Sequence, residues 1–163
     1  MKWLFLVLVG VSLQSCLTVA RLNGNYPTNI VWHESGKSYD ELFDRIMDWV
    51  VEEGYEMSVL NKEAGYIELN VQIPYNYITP EQRNNKQLNS NAYAVLASGS
   101  TAIFDSYGRV LIRLKNVGND KREIGIKMEA YAYETNGKDR YKSYSTIHSL
   151  GNFEHQLLDK LTK

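Results

Sequence analysis

The stretch Tyr39–Ile73, YDELFDRIMDWVVEEGYEMSVLNKEAGYIELNVQI, contains a change of period that decides the fold. In its first half, apolar residues recur at three- and four-residue spacing, which is typical of one face of an amphipathic helix. In its second half, apolar and polar residues alternate, which is typical of a β-strand with one buried face. The stretch therefore predicts a helix followed by a β-hairpin.

Local signals define both ends of the predicted helix. Ser38 and Glu41 have the S-x-x-E spacing of a capping box, in which each side chain can bind a backbone amide of the first turn. Gly54 stands where a left-handed C-terminal cap is expected. We expect six residues of the helix to face the core: Tyr39, Leu42, Phe43, Ile46, Met47 and Val50.

Further strands are predicted on both sides of the helix. Residues 30–33 (IVWH) are predicted as a first strand, and residues 55–61 and 66–73 as a hairpin whose loop contains a glycine. The next segment, residues 74–91 (PYNYITPEQRNNKQLNSN), is polar and contains two prolines. It is predicted to be a long mobile loop and a candidate contact surface.

The second half of the chain repeats the strand pattern. Residues 101–105 (TAIFD) and 109–116 (RVLIRLKN) are predicted strands on either side of a turn SYG, and residues 121–135 form another. Asn136-Gly137 is a strong hairpin signal, and a last helix is expected at about 150–161. Strands with one apolar and one polar face indicate a sheet covered on one side. The sequence thus predicts an α+β fold: a two-layer sandwich of an antiparallel sheet with two helices on one face.

The chain begins with an apolar run that is too short to span a membrane. Lys2 is followed by apolar residues from Trp3 to Leu13, interrupted by Gly10 and Ser12. That run is about half of the roughly 20 residues that a membrane-spanning helix needs. Its length is typical of the apolar core of an export signal.

The end of this run, Leu13-Gln14-Ser15-Cys16, resembles a bacterial lipobox, although Gln14 is a less usual residue at its position. The resemblance implies that Cys16 is lipidated and that the signal is cut before it. Two or three acyl chains together anchor a protein firmly. Cys16 is the only cysteine, so no disulfide can form within the chain. The alternative is a secretory signal that is cut elsewhere, for instance after Ala20.

The predicted organisation has three parts: a signal peptide at residues 1–15, a lipidated tether at 16–29, and one α+β domain at 30–163. Removing 15 residues from 163 leaves 148, which is enough for a single domain with its own core. The formal net charge of the whole chain is −1. A nucleic-acid surface would show a basic excess, so no nucleic-acid partner is predicted.

The order of a strand, a capped helix with an internal tryptophan, a hairpin containing GYI, further strands and a last helix resembles a known group of proteins. It is similar to small Bacteroidetes lipoproteins with a TATA-binding-protein-like fold and, more loosely, to the repeats of BamC-type accessory lipoproteins of outer-membrane assembly. Tyr39–Ile73 carries the likeness. The resemblance implies a fold and a location in the envelope, and it supplies no catalytic residues.

The sequence offers little that predicts catalysis or metal binding. The three histidines, His33, His148 and His155, have no cysteine or carboxylate nearby at zinc-ligand spacing. No serine lies in a G-x-S-x-G motif. Residues 97–102 (ASGSTA) lack the lysine and the following helix of a phosphate loop, so a connection between strands is the favoured interpretation. No enzyme activity, metal or cofactor is therefore predicted.

Carboxylates on the strands have a structural explanation. Glu68 and Glu129 are predicted on the polar face of the sheet, opposite Arg109, Arg113 and Lys127. Opposite charges on neighbouring strands stabilise a sheet. Cross-strand ion pairing is therefore favoured over a catalytic carboxylate pair.

Tyrosines are the strongest candidates for a binding face. Several flank the predicted hairpin at Asn136-Gly137, and others border the segment 74–91. Exposed aromatic side chains can stack on sugars or anchor a protein partner, although tyrosine is also common in strands of a half-exposed sheet. The candidate binding residues are Tyr75, Tyr77, Tyr131, Tyr133, Tyr141 and Tyr144.

Together these features predict a non-enzymatic envelope lipoprotein that binds a protein partner. The membrane contact would be the lipid on Cys16, and the location would be the outer membrane facing the periplasm. The docking surface would be the exposed face of the sheet or the segment 74–91. The alternative is a glycan- or peptide-binding module that uses the tyrosine-rich face.

Overall fold

The computed structural model describes residues 26, 28–81, 91–96, 103–118, 121–135 and 142–163. Two helices and a set of strands are found within these ranges. In chain order they are β1 (Val31–Ser35), α1 (Tyr39–Glu53), β2 (Glu56–Asn61), β3 (Tyr66–Gln72), a 3-10 turn (Tyr75–Tyr77), β4 (Ile78–Pro80), β5 (Ala94–Leu96), β6 (Ile103–Gly118), β7 (Lys121–Thr135), β8 (Lys142–Ser149) and α2 (Asn152–Thr162).

The described strands form one eight-stranded sheet with the order β2-β3-β6-β7-β8-β5-β4. β1 adds to the same sheet along β7, where it pairs with residues 122–126, while β8 pairs with residues 130–135 of β7. The fold is therefore α+β, as the sequence predicts. The sheet is mixed rather than antiparallel throughout, because β4 and β5 run parallel.

Both ends of α1 are confirmed. The Glu41 amide donates to the Ser38 hydroxyl at 3.2 Å, and the Ser38 amide donates to Glu41 Oε2 at 2.7 Å. Gly54 caps the other end with φ at 68°. The buried side of the helix includes Trp49, which was not predicted, whereas Tyr39 is only half-buried.

The predicted turn at residues 106–108 is wrong, because β6 runs unbroken from Ile103 to Gly118. Gly108 serves close packing. A Cβ at this position would lie 3.0 Å from side-chain atoms of both Val71 and Ile73. The Ser106 hydroxyl donates to the carbonyl of Ile73. The serine and glycine that indicate a turn locally are used here to bring β6 against the end of β3.

The prediction of one long loop at 74–91 is also wrong for its first part. Residues 75–80 form a 3-10 turn and the edge strand β4. Ile78 and Thr79 are buried, because β4 pairs with β5 and joins the sheet. Residues 82–90 lie outside the described ranges.

The other element predictions hold with small shifts. β1 begins and ends one or two residues later than predicted, and α2 covers Asn152–Thr162 instead of about 150–161. The loop between β2 and β3 ends at Gly65, whose φ is 60°. Asn136-Gly137 lies outside the described residues, but the strands on either side of it pair antiparallel.

The core is one buried cluster to which both helices and the strands of the sheet contribute. Leu42 and Ile46 of α1 and Leu157 and Leu161 of α2 belong to the same buried cluster as alternate residues of β3, β6 and β7. Neither described helix is long and apolar enough to cross a membrane.

Candidate functional site

A row of paired residues crosses the polar side of the sheet. Tyr66 on β3 pairs with Arg113 on β6, Arg113 pairs with Gly125 on β7, and Gly125 pairs with Trp32 on β1. These four residues are called the cross-strand row. It places one arginine between two aromatic residues across four neighbouring strands.

Gly125 makes the row possible. A Cβ at this position would lie 2.6 Å from the Trp32 ring and from Ile30 Cγ2, so any larger residue would displace them. With glycine there, the indole ring can lie against the strand. Lys115 Nζ lies 3.7 Å from the centroid of that ring, which is a favourable cation–π distance.

Arg113 is held by stacking. Its guanidinium carbon lies 5.3 Å from the centroid of the Tyr66 ring. Within the described ranges, its buried Nε has no hydrogen-bond partner. A guanidinium offers five N–H donors in a fixed plane, so a stacked arginine is well prepared to bind a carboxylate from outside the chain.

A charged cluster lies beside the row. Arg109 binds Glu129, and its Nη1 lies 3.5 Å from Glu68 Oε1, while Lys127 Nζ lies 2.7 Å from Glu129 Oε1. The predicted cross-strand ion pairing is thus confirmed for Arg109, whereas Lys127 pairs with Glu129 on its own strand β7 and Arg113 stacks on Tyr66. Hydrogen bonds from Lys127 and then Arg109 lower the pKa of Glu129. This carboxylate therefore stays ionised at neutral pH.

Three of the predicted tyrosines occupy neighbouring backbone positions further along the sheet. Tyr131 pairs in register with Tyr107, and Tyr133 pairs with Tyr144. Tyr107, which was not predicted, is 46% exposed. Tyr75 lies in the 3-10 turn, and Tyr141 lies outside the described residues.

The sixth predicted tyrosine, Tyr77, lies in another part of the molecule. It is half-buried and stacks on Tyr93, with ring centroids 4.2 Å apart and planes 5° apart. Tyr77 therefore supports Tyr93.

Tyr93 lines a groove of about 270 Å³ that lies where the C-terminal end of α1 meets α2. Trp49 and Leu157, both 4% exposed, are the most buried of its lining residues. Trp49 meets Tyr55 edge-on with ring centroids 5.1 Å apart, and Tyr93 meets Phe153 in the same way at 5.4 Å. Four aromatic residues from three separate segments thus surround one concave surface.

Polar groups line the same groove. The Tyr93 hydroxyl donates to Gln156 Oε1 at 3.1 Å, and Lys160 Nζ lies 3.4 Å from Glu53 Oε1. Burial raises the pKa of Tyr55 and of Tyr93, so both phenols keep their protons and can act as hydrogen-bond donors. This site was not predicted from the sequence. Its one sequence signal is that Trp49 follows Ile46 by three residues, in the same apolar stripe.

A buried carboxylate fixes α2 against the sheet. Glu154 is 2% exposed. Its Oε1 accepts from the Met128 amide at 3.0 Å, and its Oε2 accepts from the Ser149 hydroxyl at 2.8 Å. Met128 lies on β7 between the residues that pair with β1 and those that pair with β8. Glu154 therefore accepts a hydrogen bond from a β7 amide at a position where neither β1 nor β8 is paired with β7.

The remaining sequence candidates contribute little to either surface. Cys16 lies outside the described residues. His33 and His155 are exposed and His148 is half-buried. In the part of the chain that the structure describes, no three metal-ligating side chains come together.

Comparison with known proteins adds no family: no protein-family model matches this chain, and no curated protein matches it in sequence.

Proposed function

We propose that this protein is a non-enzymatic, lipid-anchored binding module of the cell envelope, and that it docks a protein partner on the polar side of its sheet. The observation that carries the proposal is the cross-strand row of Trp32, Arg113 and Tyr66 around Gly125. Tryptophan, tyrosine and arginine are the residue types that contribute most to binding energy at protein interfaces.

The geometry of the row suits a protein partner. Tyr66 and the stacked Arg113 lie on adjacent strands, and Trp32 lies across β7 from Arg113 in the same sheet, so the three side chains need little ordering when a partner arrives. Arg113 would bind a carboxylate of the partner, because bidentate hydrogen bonding to a carboxylate is the strongest interaction of a guanidinium. The neighbouring Arg109 is ion-paired with Glu68 and Glu129 within the chain, and this cluster would act as a polar rim that selects the partner by charge.

The anchor is part of the same proposal. Cys16 would carry the lipid, and residues 16–29 would tether the domain to the outer membrane on its periplasmic side. Anchoring near a membrane-bound partner raises the effective concentration of the pair. Tyr26, within this tether, donates a hydrogen bond to Glu81 Oε1 at 2.7 Å, so the end of the tether would hold the domain close to the membrane.

The proposed architecture is a two-layer, TATA-binding-protein-like sandwich, related in fold to the small Bacteroidetes lipoproteins and to BamC repeats. Its support is the single buried cluster that both helices share with the sheet. This arrangement would leave the polar side of the sheet available to the partner.

The proposal is tested by affinity capture of the full-length protein from cross-linked native membranes. Wild type and Arg45→Ala, which alters an exposed arginine of α1, should capture the same set of envelope proteins. Arg113→Ala should lose that set, and Cys16→Ala should reduce it. Equal capture by wild type and Arg113→Ala would place docking elsewhere. Metabolic labelling with an alkyne fatty acid should label wild type and spare Cys16→Ala.

A second candidate is glycan or peptide binding by the tyrosine-rich face. The observation in its favour is the register that pairs Tyr131 with Tyr107 and Tyr133 with Tyr144. Glycan and peptide arrays probed with wild type, Tyr131→Ala and Tyr141→Ala test it. A signal that both substitutions leave unchanged would exclude this face as the binding surface.

A further inference from the structure

We infer that the groove between α1 and α2 is a binding site for a neutral saccharide. This site lies apart from the cross-strand row and the tyrosine-rich face, and it does not depend on either of them. It would give the protein a small-molecule ligand in addition to a protein partner.

The aromatic walls of the groove are fixed in place before a ligand arrives. Tyr93 is stacked on Tyr77 and hydrogen-bonded to Gln156. Tyr55 packs edge-on against the buried Trp49. Half-buried rings that cannot turn away offer flat apolar surface at a low entropic cost. The C–H face of a sugar ring can stack on such a surface.

The charges of the groove favour a neutral ligand. Lys160 Nζ lies 3.3 Å from Glu52 Oε2 and 3.4 Å from Glu53 Oε1. An anion would meet the carboxylate of Glu53, which lines the groove, and a cation would meet the Lys160 ammonium that already pairs with it. A ligand without charge leaves these ion pairs intact.

The polar groups favour a ligand that carries hydroxyls. Gln156 accepts from Tyr93 through its oxygen, and its amide nitrogen still has two N–H donors. Tyr55 lines the same groove, and its hydroxyl can both donate and accept a hydrogen bond. Sugar hydroxyls can accept from the first group and can exchange hydrogen bonds with the second. An apolar peptide side chain would leave both groups unsatisfied, which costs free energy.

The size of the groove agrees with this chemistry. Its volume of about 270 Å³ lies just under the roughly 300 Å³ at which typical small-molecule pockets begin. Such a volume suits a ligand at the small end of this class. The ligand would therefore be a short oligosaccharide or one end of a longer glycan.

Tryptophan fluorescence provides a direct test. The chain has three tryptophans, Trp3, Trp32 and Trp49, so Trp3→Phe with Trp32→Phe leaves Trp49 as the only indole. The full-length double variant in detergent is titrated with neutral oligomers of glucose and of N-acetylglucosamine. We expect a saturable change in Trp49 emission with at least one series. Gln156→Ala should raise the Kd about ten-fold and Tyr55→Phe several-fold.

Two controls separate this site from the other surfaces. Tyr107→Ala alters the tyrosine-rich face and Arg113→Ala alters the cross-strand row, and both should bind the saccharide like the parent protein. Far-ultraviolet circular dichroism checks that Gln156→Ala and Tyr55→Phe are folded. The inference is overturned by the absence of a saturable change with every neutral oligomer. It is also overturned by a preference for uronate oligomers or an apolar peptide, or by a Kd that Gln156→Ala leaves unchanged.

Discussion

The cross-strand row and the groove are both built around aromatic residues, but they are assembled in different ways. The row consists of residues at paired positions on four adjacent strands, so the alternation of each strand already places them on the polar side of the sheet. The groove combines the end of α1, the residue before β5 and one side of α2. No local pattern relates these segments. A flat face follows from strand periodicity, whereas a concave site depends on how separate elements pack.

The two surfaces also differ in what supports them. The groove depends on α2, which Glu154 fixes to the sheet through buried hydrogen bonds. The row depends on the small size of Gly125 and on partly exposed side chains. Substitutions on the groove side should therefore cost more stability, and the following predictions test that order from the largest expected effect to the smallest.

Glu154→Ala should lower the free energy of unfolding by about 3 kcal/mol, because it leaves the Met128 amide and the Ser149 hydroxyl buried without their acceptor. Urea denaturation followed by circular dichroism measures this. Glu63→Ala, at an exposed position of the β2–β3 loop, should change stability by less than about 0.5 kcal/mol. A Glu154→Ala protein as stable as the Glu63→Ala control would mean that Glu154 does not hold α2.

Gly125→Ala is the substitution on the polar side that could reverse this order. The new Cβ must displace Trp32 and Ile30, and such overpacking costs about 1–3 kcal/mol. Trp32 emission should shift to longer wavelength as its ring moves into water. Gly36→Ala is the matched control, since a Cβ at Gly36 meets nothing within 4 Å. If Gly125→Ala proves as costly as Glu154→Ala, the row is as rigid as the core.

A structural feature could be predicted from the sequence where the residues that produce it are neighbours in the chain. The capping box at Ser38 and the left-handed cap at Gly54 use neighbouring residues, and both were predicted. The turn expected around Gly108 was wrong, because this glycine packs closely against Val71 and Ile73, which are distant in sequence. For the same reason β4 was missed, since its partner β5 lies beyond residues 82–90.

The contacts of the candidate sites also include some that local sequence patterns predict and others that depend on distant residues. Arg109 and Glu129 were correctly paired across strands. The alternation of apolar and polar residues indicates that both side chains lie on the polar side of the sheet, and their opposite charges indicate that they pair. The stacking of Arg113 depends on Tyr66 being its register partner, and a register cannot be derived from one strand alone. The groove and Glu154 require the position of α2, which no periodicity supplies.

Arg109→Ala should have a smaller effect on stability, about 1 kcal/mol or less, because ion pairs of partly exposed groups contribute little. The pH dependence is more informative. The pKa of Glu129 lies below its ordinary value of 4.5. Its contribution is therefore present above pH 4.5 and is lost as the pH falls through the lowered pKa. Arg109→Ala should weaken that acid-side loss.

Urea midpoints measured between pH 3 and pH 7 check this prediction. Arg45→Ala, which removes an exposed arginine of α1, should follow the wild-type pH profile. If Arg109→Ala also follows it, Lys127 alone lowers the pKa of Glu129. The ion pair between Arg109 and Glu129 would then make no contribution to the acid-side stability.

Tyr26→Phe should have the smallest effect, because Glu81 keeps another interaction after the Tyr26 hydroxyl is removed. Burial and the hydrogen bond to Glu81 raise the pKa of Tyr26 from 10.0 to about 12. A raised pKa means that the contribution of this hydroxyl is fully present below pH 10 and is lost as the pH rises towards 12. The stability difference between wild type and Tyr26→Phe should therefore shrink over that range.

Hydrogen exchange at neutral pH gives the local measurement for the same substitution. The segment around Tyr26 should exchange faster in Tyr26→Phe, while β6 and β7 should exchange as in wild type. A stability difference that stays constant from pH 9 to pH 12 would contradict the role of the hydroxyl. In that case packing of the Tyr26 ring near His148, at a centroid distance of 6.3 Å, would hold the end of the tether. Residue 26 would then dock through the packing of its aromatic ring, and not through a polar contact like that of Glu154.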